Sequence, residues 1–111
     1  MNTSNKACRP LRLTLFSSCL ALLTMLPHSA LAADPVNGQR LYLTHCAGCH
    51  GQNGLSTLPN APNLARSERL NQPDPVVVDK IRSGINTMPP FLGILKDNEI
   101  YDVVSYVRTL R

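Results

Sequence analysis

The stretch His45-Cys46-Ala47-Gly48-Cys49-His50-Gly51, HCAGCHG, decides how the rest of this chain is read. Two cysteines separated by two residues, with a histidine directly after, admit three chemistries: part of a zinc site, a redox dithiol, or covalent haem attachment. A structural zinc takes four ligands. Cys46, Cys49 and His50 supply three, and His45 sits too close in sequence to complete a relaxed tetrahedron. The chain has no second CxxC and no HxxxH. A thioredoxin-like dithiol wants a βαβ context, whereas an amphipathic helical segment runs into this motif with no strand before it. C-x-x-C-H is the signature of c-type haem attachment. On one helical turn, the thiols of Cys46 and Cys49 reach the two vinyl groups of a single porphyrin, and His50 then lies under the iron. The motif implies one covalent haem c, with His50 as an axial ligand.

Such attachment is made outside the bacterial cytoplasm, and the start of the chain fits export. Lys6, Arg9 and Arg12 precede an uncharged apolar run, Leu13 to Leu26, that Pro27 breaks. Ala30-Leu31-Ala32 then offers a small-x-small cleavage pattern. The run is shorter than the roughly 20 residues a membrane-spanning helix needs. Lipid attachment at Cys19 is disfavoured by Phe16-Ser17-Ser18 before it, and would leave an apolar tail on the product. The expectation is a cleaved signal over 1–32, a mature domain over 33–111 in the periplasm, and no membrane span in it. The cut is placed after Ala32, with Ala33 as the alternative.

Cleavage changes the chemistry that remains. The +4 charge of 11 basic and 7 acidic residues loses three of its cations, so the basicity belongs mostly to the export segment. Nucleic acid is therefore not an expected partner. Of four cysteines only Cys46 and Cys49 stay, too few for a disulfide framework. A domain this small buries a modest core and commonly relies on a cofactor to hold it.

Three helices are legible. Asp34 followed by Pro35 is an N-cap with proline in the first turn, opening a helix over 35–46. Asp74-Pro75 and Gly84 bracket a second, with Val77, Val78 and Ile81 on one side, although its three valines also suit a strand. Asp97 caps the last, where Ile100, Val103, Val104, Val107 and Leu110 recur at helical spacing. The segment between the first two, Gly51 to Pro75, is rich in Gly, Pro and Asn and reads as loop, with a helical turn near Ser67 to Leu70. A loop of this length in so small a domain wraps something.

The iron needs a sixth ligand. Met88 is the only methionine outside the export segment, and it stands in NTMPPF, where Pro89 and Pro90 stiffen the backbone after it. A methionine more often fills a core gap, but this one sits in an irregular, proline-fixed segment. His45, directly before Cys46, lies on the wrong side of the ring to reach across. Met88 is the expected axial ligand.

With these residues in place, the chain resembles the small bacterial class I c-type cytochromes over essentially all of 33–111. NGQRLYLTHCAGCHG matches the family's first helix and haem motif, APNL its proline loop with Ala61 where a glycine is usual, and MPPF and DVVSYVRTL its distal loop and last helix. The resemblance implies an all-α cytochrome c-like fold, three main helices wrapped around one haem, with the first and last helices crossing at Gly38, Tyr42, Val103 and Tyr106. It gives the Pro62 carbonyl the hydrogen bond from His50, and sets Asn86 with Pro62 among the residues supporting the ligands. It also implies one-electron transfer in place of bond chemistry, in a monomer that docks transiently on redox proteins at the haem edge. Lys80, Arg82 and Lys96 are candidates for a charged rim or for the haem propionates, or are ordinary solvated charges. Two other classes stand beside the free carrier. One is an accessory subunit or assembly factor of a respiratory enzyme such as a nitrite reductase or terminal oxidase. The other is a haem enzyme, for which no distal histidine is available.

Overall fold

The computed structural model describes residues 32–111. The expected export segment, including Cys8, Cys19 and the Leu13–Leu26 run, lies outside the described residues except for its last residue, Ala32. The helices are α1 (Pro35–His45), α2 (Ala47–His50), α3 (Asp74–Ser83) and α4 (Asp97–Val107), with a short 3₁₀ turn at Leu64–Arg66 between α2 and α3. The regular elements among the described residues are all helical, as an all-α fold requires.

Helix α1 starts as its sequence indicates. The Asp34 carboxylate accepts from the N–H groups of Val36 (2.9 Å) and Asn37 (3.2 Å), and Pro35 occupies a first-turn position that needs no donor. It ends one residue earlier than expected, at His45, where Cys46 turns the chain into α2. Helices α1 and α4 pack closely because residue 38 has no side chain. A Cβ there would stand 1.9 Å from the Asp102 carbonyl oxygen, so only glycine permits the approach. One turn on, the rings of Tyr42 and Tyr106 meet at 5.4 Å between centroids, tilted by 56°. Val103 is buried beside them, and the expected four-residue contact is present. The Asp102 carboxylate, itself buried, accepts from the Asp34 N–H (2.7 Å) and from Asn37 Nδ2 (2.8 Å), joining the two helices at a second point.

Helix α4 buries Ile100, Val103, Val104 and Val107, but its cap differs from the sequence reading. Lys96 is the N-cap residue, and its N–H donates to Glu99 Oε2 at 2.8 Å. This is half of a capping box. It releases Asp97 into the first helical turn, where its carboxylate pairs with Arg82 of α3 at 2.8 Å. Leu110 lies beyond the helix and packs on the core from the tail.

The three valines of α3 settle as helix. Val77 and Val78 are buried and Val76 is exposed, whereas an alternating strand would put Val76 and Val78 on the same face. Asp74 does not cap this helix with its side chain; its carboxylate receives Arg108, which also donates to the Leu70 and Gln72 carbonyls at 2.9 and 2.7 Å. One arginine thus fastens the end of the long loop to the tail of α4. The helical turn in that loop falls at Leu64–Arg66, three residues before the expected place. Ser67 (φ 58°) and Arg69 (φ 63°) are left-handed there, a conformation that cannot continue a right-handed turn.

Candidate cofactor site

Two turns of backbone set the motif. Cys49 and His50 donate their N–H groups to the Cys46 carbonyl at 3.1 and 3.0 Å, which makes Cys46 to His50 one continuous helical turn. Gly51 then leaves the helix at φ 76°, and a side chain there would collide with the Leu55 carbonyl oxygen, 1.9 Å from where its Cβ would stand. The Tyr42 hydroxyl donates to the Gly51 carbonyl at 2.6 Å, tying the end of the motif to α1. Sequence reading gave Tyr42 only a packing role, since this bond depends on the chain folding back over α1. Burial, then the neighbouring Cys46 and Tyr106, push the Tyr42 phenol up to about 12.

Cys46, Cys49 and His50 open into a single crevice that Pro62, Asn86 and Met88 also line. All six residues singled out from sequence are brought together there. The remaining wall is mainly apolar, with Leu64, Leu70, Val77, Ile81 and Phe91 among its members. Cys46 and Cys49 form no disulfide; Cys46 is half-buried and Cys49 exposed. Burial, and after it the adjacent Cys49, push the Cys46 thiol up to about 11.

His50 Nδ1 lies 3.2 Å from the Pro62 carbonyl oxygen. A carbonyl only accepts, so Nδ1 carries the proton and Nε2 keeps its lone pair for a metal. Met88 is placed by a two-residue turn. Ile85 and Met88 exchange backbone hydrogen bonds at 3.1 and 2.9 Å, with Asn86 between them at φ 53°. Asparagine tolerates this left-handed backbone better than most residues, and that conformation is what Asn86 contributes; its side chain forms no hydrogen bond among the described residues. Pro89 and Pro90 follow, and Phe91 returns to α3 by donating its N–H to the Ile81 and Arg82 carbonyls.

His45, set aside as a ligand, nevertheless borders the crevice and meets Phe91 edge-on at 6.1 Å. The three basic candidates separate. Lys80 lines the crevice. Arg82 is engaged by Asp97 and, at 3.5 Å, by Asp79, while Lys96 begins α4. Among the described residues no three His, Cys, Asp or Glu side chains converge to hold a metal ion, so the zinc arrangement has no geometry to support it.

An apolar crevice that gathers two thiols, an oriented imidazole and a thioether has the donor set a covalent haem requires. Comparison with known proteins agrees. Residues 33–107 match the family model described as "Cytochrome C oxidase, cbb3-type, subunit III". The chain is 36% identical over 92 residues to a cytochrome c6 of Thermosynechococcus vestitus, covering 79% of this chain and 80% of that one. It is 36% identical over 82 residues to a cytochrome c6 of Nostoc sp., covering 70% and 72%. A cytochrome c6 of Porphyra purpurea is 31% identical over 97 residues, covering 85% and 84%. The chain belongs to the small class I c-type cytochromes. This cytochrome's cofactor is one covalently attached haem c, and it is an electron-transfer protein that works with redox protein partners, not an enzyme. Among its described residues no helix is long and apolar enough to cross a membrane.

Proposed function

We propose that the cytochrome is a periplasmic one-electron carrier whose haem is tethered by Cys46 and Cys49 and ligated by His50 and Met88. The observation that carries this reading is the convergence of those four side chains on one apolar crevice, with His50 Nδ1 held against the Pro62 carbonyl. When bound, haem supplies an Fe(II)/Fe(III) couple. The chain's residues do the rest. Pro62 fixes the imidazole's tautomer and orientation, and the Asn86 turn with Pro89 and Pro90 presents the Met88 sulfur. The apolar wall excludes water, and with His50 and Met88 both holding the iron no position would remain for a substrate. Leu58 and Ile85 line the crevice while remaining 42% and 43% exposed, which gives its mouth an apolar rim suited to brief docking of a monomer on redox partners. Export by a cleaved signal over 1–32 accounts for the location, and Ala33 as the first residue of the purified protein checks it.

The family model's description favours a second reading, in which the chain serves as a subunit of a terminal oxidase. The relatives favour the free carrier, since the chain matches about four-fifths of a protein named cytochrome c6. Co-purification with an oxidase under mild extraction separates the two.

Met88→Ala tests the ligation directly. Methionine sulfur gives oxidised haem a weak red-end charge-transfer band, which is present in wild type and lost in the variant. The variant's reduction potential falls, and its reduced form binds carbon monoxide readily where wild type binds it poorly. A wild type that lacks the band and binds carbon monoxide fast makes Met88 a packing residue and removes the closed-site carrier.

A further inference from the structure

Lys80 stands out among the charges of this small domain. It lies on the crevice face of α3, one turn from Val77 and beside Ile81, both of which also line the crevice. It is half-buried. Its Nζ donates to Gln72 Oε1, a neutral acceptor, and among the described residues it has no carboxylate partner. Arg82, two residues on, shows the ordinary alternative, because it is bonded to Asp97 and Asp79 away from the crevice. An ammonium held partly out of water at an apolar wall, oriented by an amide and lacking a counter-charge, is arranged for an anion that enters the crevice. Haem c carries two such anions, its propionates.

We propose that Lys80 is the counter-charge of one haem propionate, with Gln72 as the residue that positions its ammonium. This rests on the haem site proposed above, but not on Met88 as a ligand. The other ionisable groups on the crevice wall are Tyr42, His45, Glu68 and the exposed Arg69, besides Cys46, Cys49 and His50. Glu68 is turned toward the proline loop, where it accepts the Asn63 N–H at 2.7 Å. Neutralising a propionate removes negative charge near the iron and so favours Fe(II).

The test uses holoprotein of wild type, Lys80→Gln and Arg82→Gln, the last removing the same charge from the same helix outside the crevice. In Lys80→Gln the equilibrium constant for haem reduction falls about threefold to tenfold, where tenfold corresponds to about 59 mV for one electron. Arg82→Gln moves it by less than half as much. Equal shifts in the two variants overturn the assignment, since net charge alone would explain them. A second measurement needs no variant: with propionate carboxyls labelled by carbon-13, one of the two titrates below the ordinary carboxylate range in wild type. If both titrate within that range, Lys80 is not a propionate partner. The red-end band is read on the same wild-type samples, so loss of the methionine reading is seen independently of either result.

Discussion

Between α1 and α4 every contact is chain against chain. Gly38 admits the Asp102 backbone, Tyr42 meets Tyr106, and the Asp102 carboxylate closes on Asp34 and Asn37. Around the crevice the same domain is built differently. Its loop from Gly51 to Pro73 holds one short 3₁₀ turn and is secured by isolated bonds such as Ala65 N–H to the Gly54 carbonyl and the Arg108 clamp. Leu64, Leu70, Val77 and Phe91 are buried, yet they all also face the crevice. The seam is closed mainly by chain against chain, with Tyr42 and Val103 also bordering the crevice, whereas the crevice wall is apolar surface that the proposed haem would cover. A small domain can thus divide its core between side chains and cofactor.

Removing the cofactor's tether should separate the two regions most sharply. In Cys46→Ser with Cys49→Ser, fixed tertiary packing is lost first and most completely around the crevice, since cofactor binding and folding are coupled. Far-ultraviolet circular dichroism would keep residual helix while the amide spectrum of the Gly51–Pro73 loop collapses. A well-dispersed spectrum for the whole domain would show that the wall packs without haem.

Next in size is damage to the seam with haem in place. Gly38→Ala forces a Cβ to within 1.9 Å of a backbone oxygen, which cannot rotate away as a side chain could. The helices must part, at a cost of about 3 kcal/mol, the upper end for overpacking. Thermal unfolding of the holoprotein measures it, and an unchanged midpoint would mean that the helix contact is dispensable.

The smallest effect sits where the regions join. Tyr42→Phe deletes the hydroxyl bond to Gly51, costing about 1 kcal/mol at neutral pH. Because burial raises the phenol from 10.0 to about 12, the folded state favours the neutral form. That stability is complete below pH 10.0 and is lost as pH rises toward about 12. Melting temperatures across this window should fall more steeply for wild type than for Tyr42→Phe. With Cys46 tied as a thioether its contribution to the shift vanishes, but burial, the largest cause, remains.

What could be read from the sequence follows the same division. HCAGCHG and Met88, the only methionine outside the expected export segment, could be read as ligand candidates because ligand type and spacing are local properties, whereas Pro62 entered only through the family resemblance. Helix α1 was legible for the same reason, its cap and proline being adjacent. The cap of α4 was not: Asp97 is the better capping residue in isolation, but Glu99 reaches back to Lys96 and Arg82 draws Asp97 away. The turn at Leu64–Arg66 was misplaced because the left-handed backbones of Ser67 and Arg69 have no glycine to announce them. Arg108, which holds loop carbonyls at Leu70 and Gln72, and Lys80, which meets Gln72, act through contacts that exist only once the chain has folded back.

The return of the methionine segment to α3 has a dynamic consequence. Phe91 and Leu92 donate their amides to the Ile81 and Arg82 carbonyls, groups that a helix end otherwise leaves to solvent. Gly84 lies so close beneath Pro90 that a Cβ there would come within 2.7 Å of the proline nitrogen. Met88 is therefore carried on the final turn of α3, with no slack tether between them. Withdrawing its sulfur from the crevice means fraying that turn, so the amides of Phe91 and Leu92 and the last residues of α3 exchange their hydrogens as one opening unit.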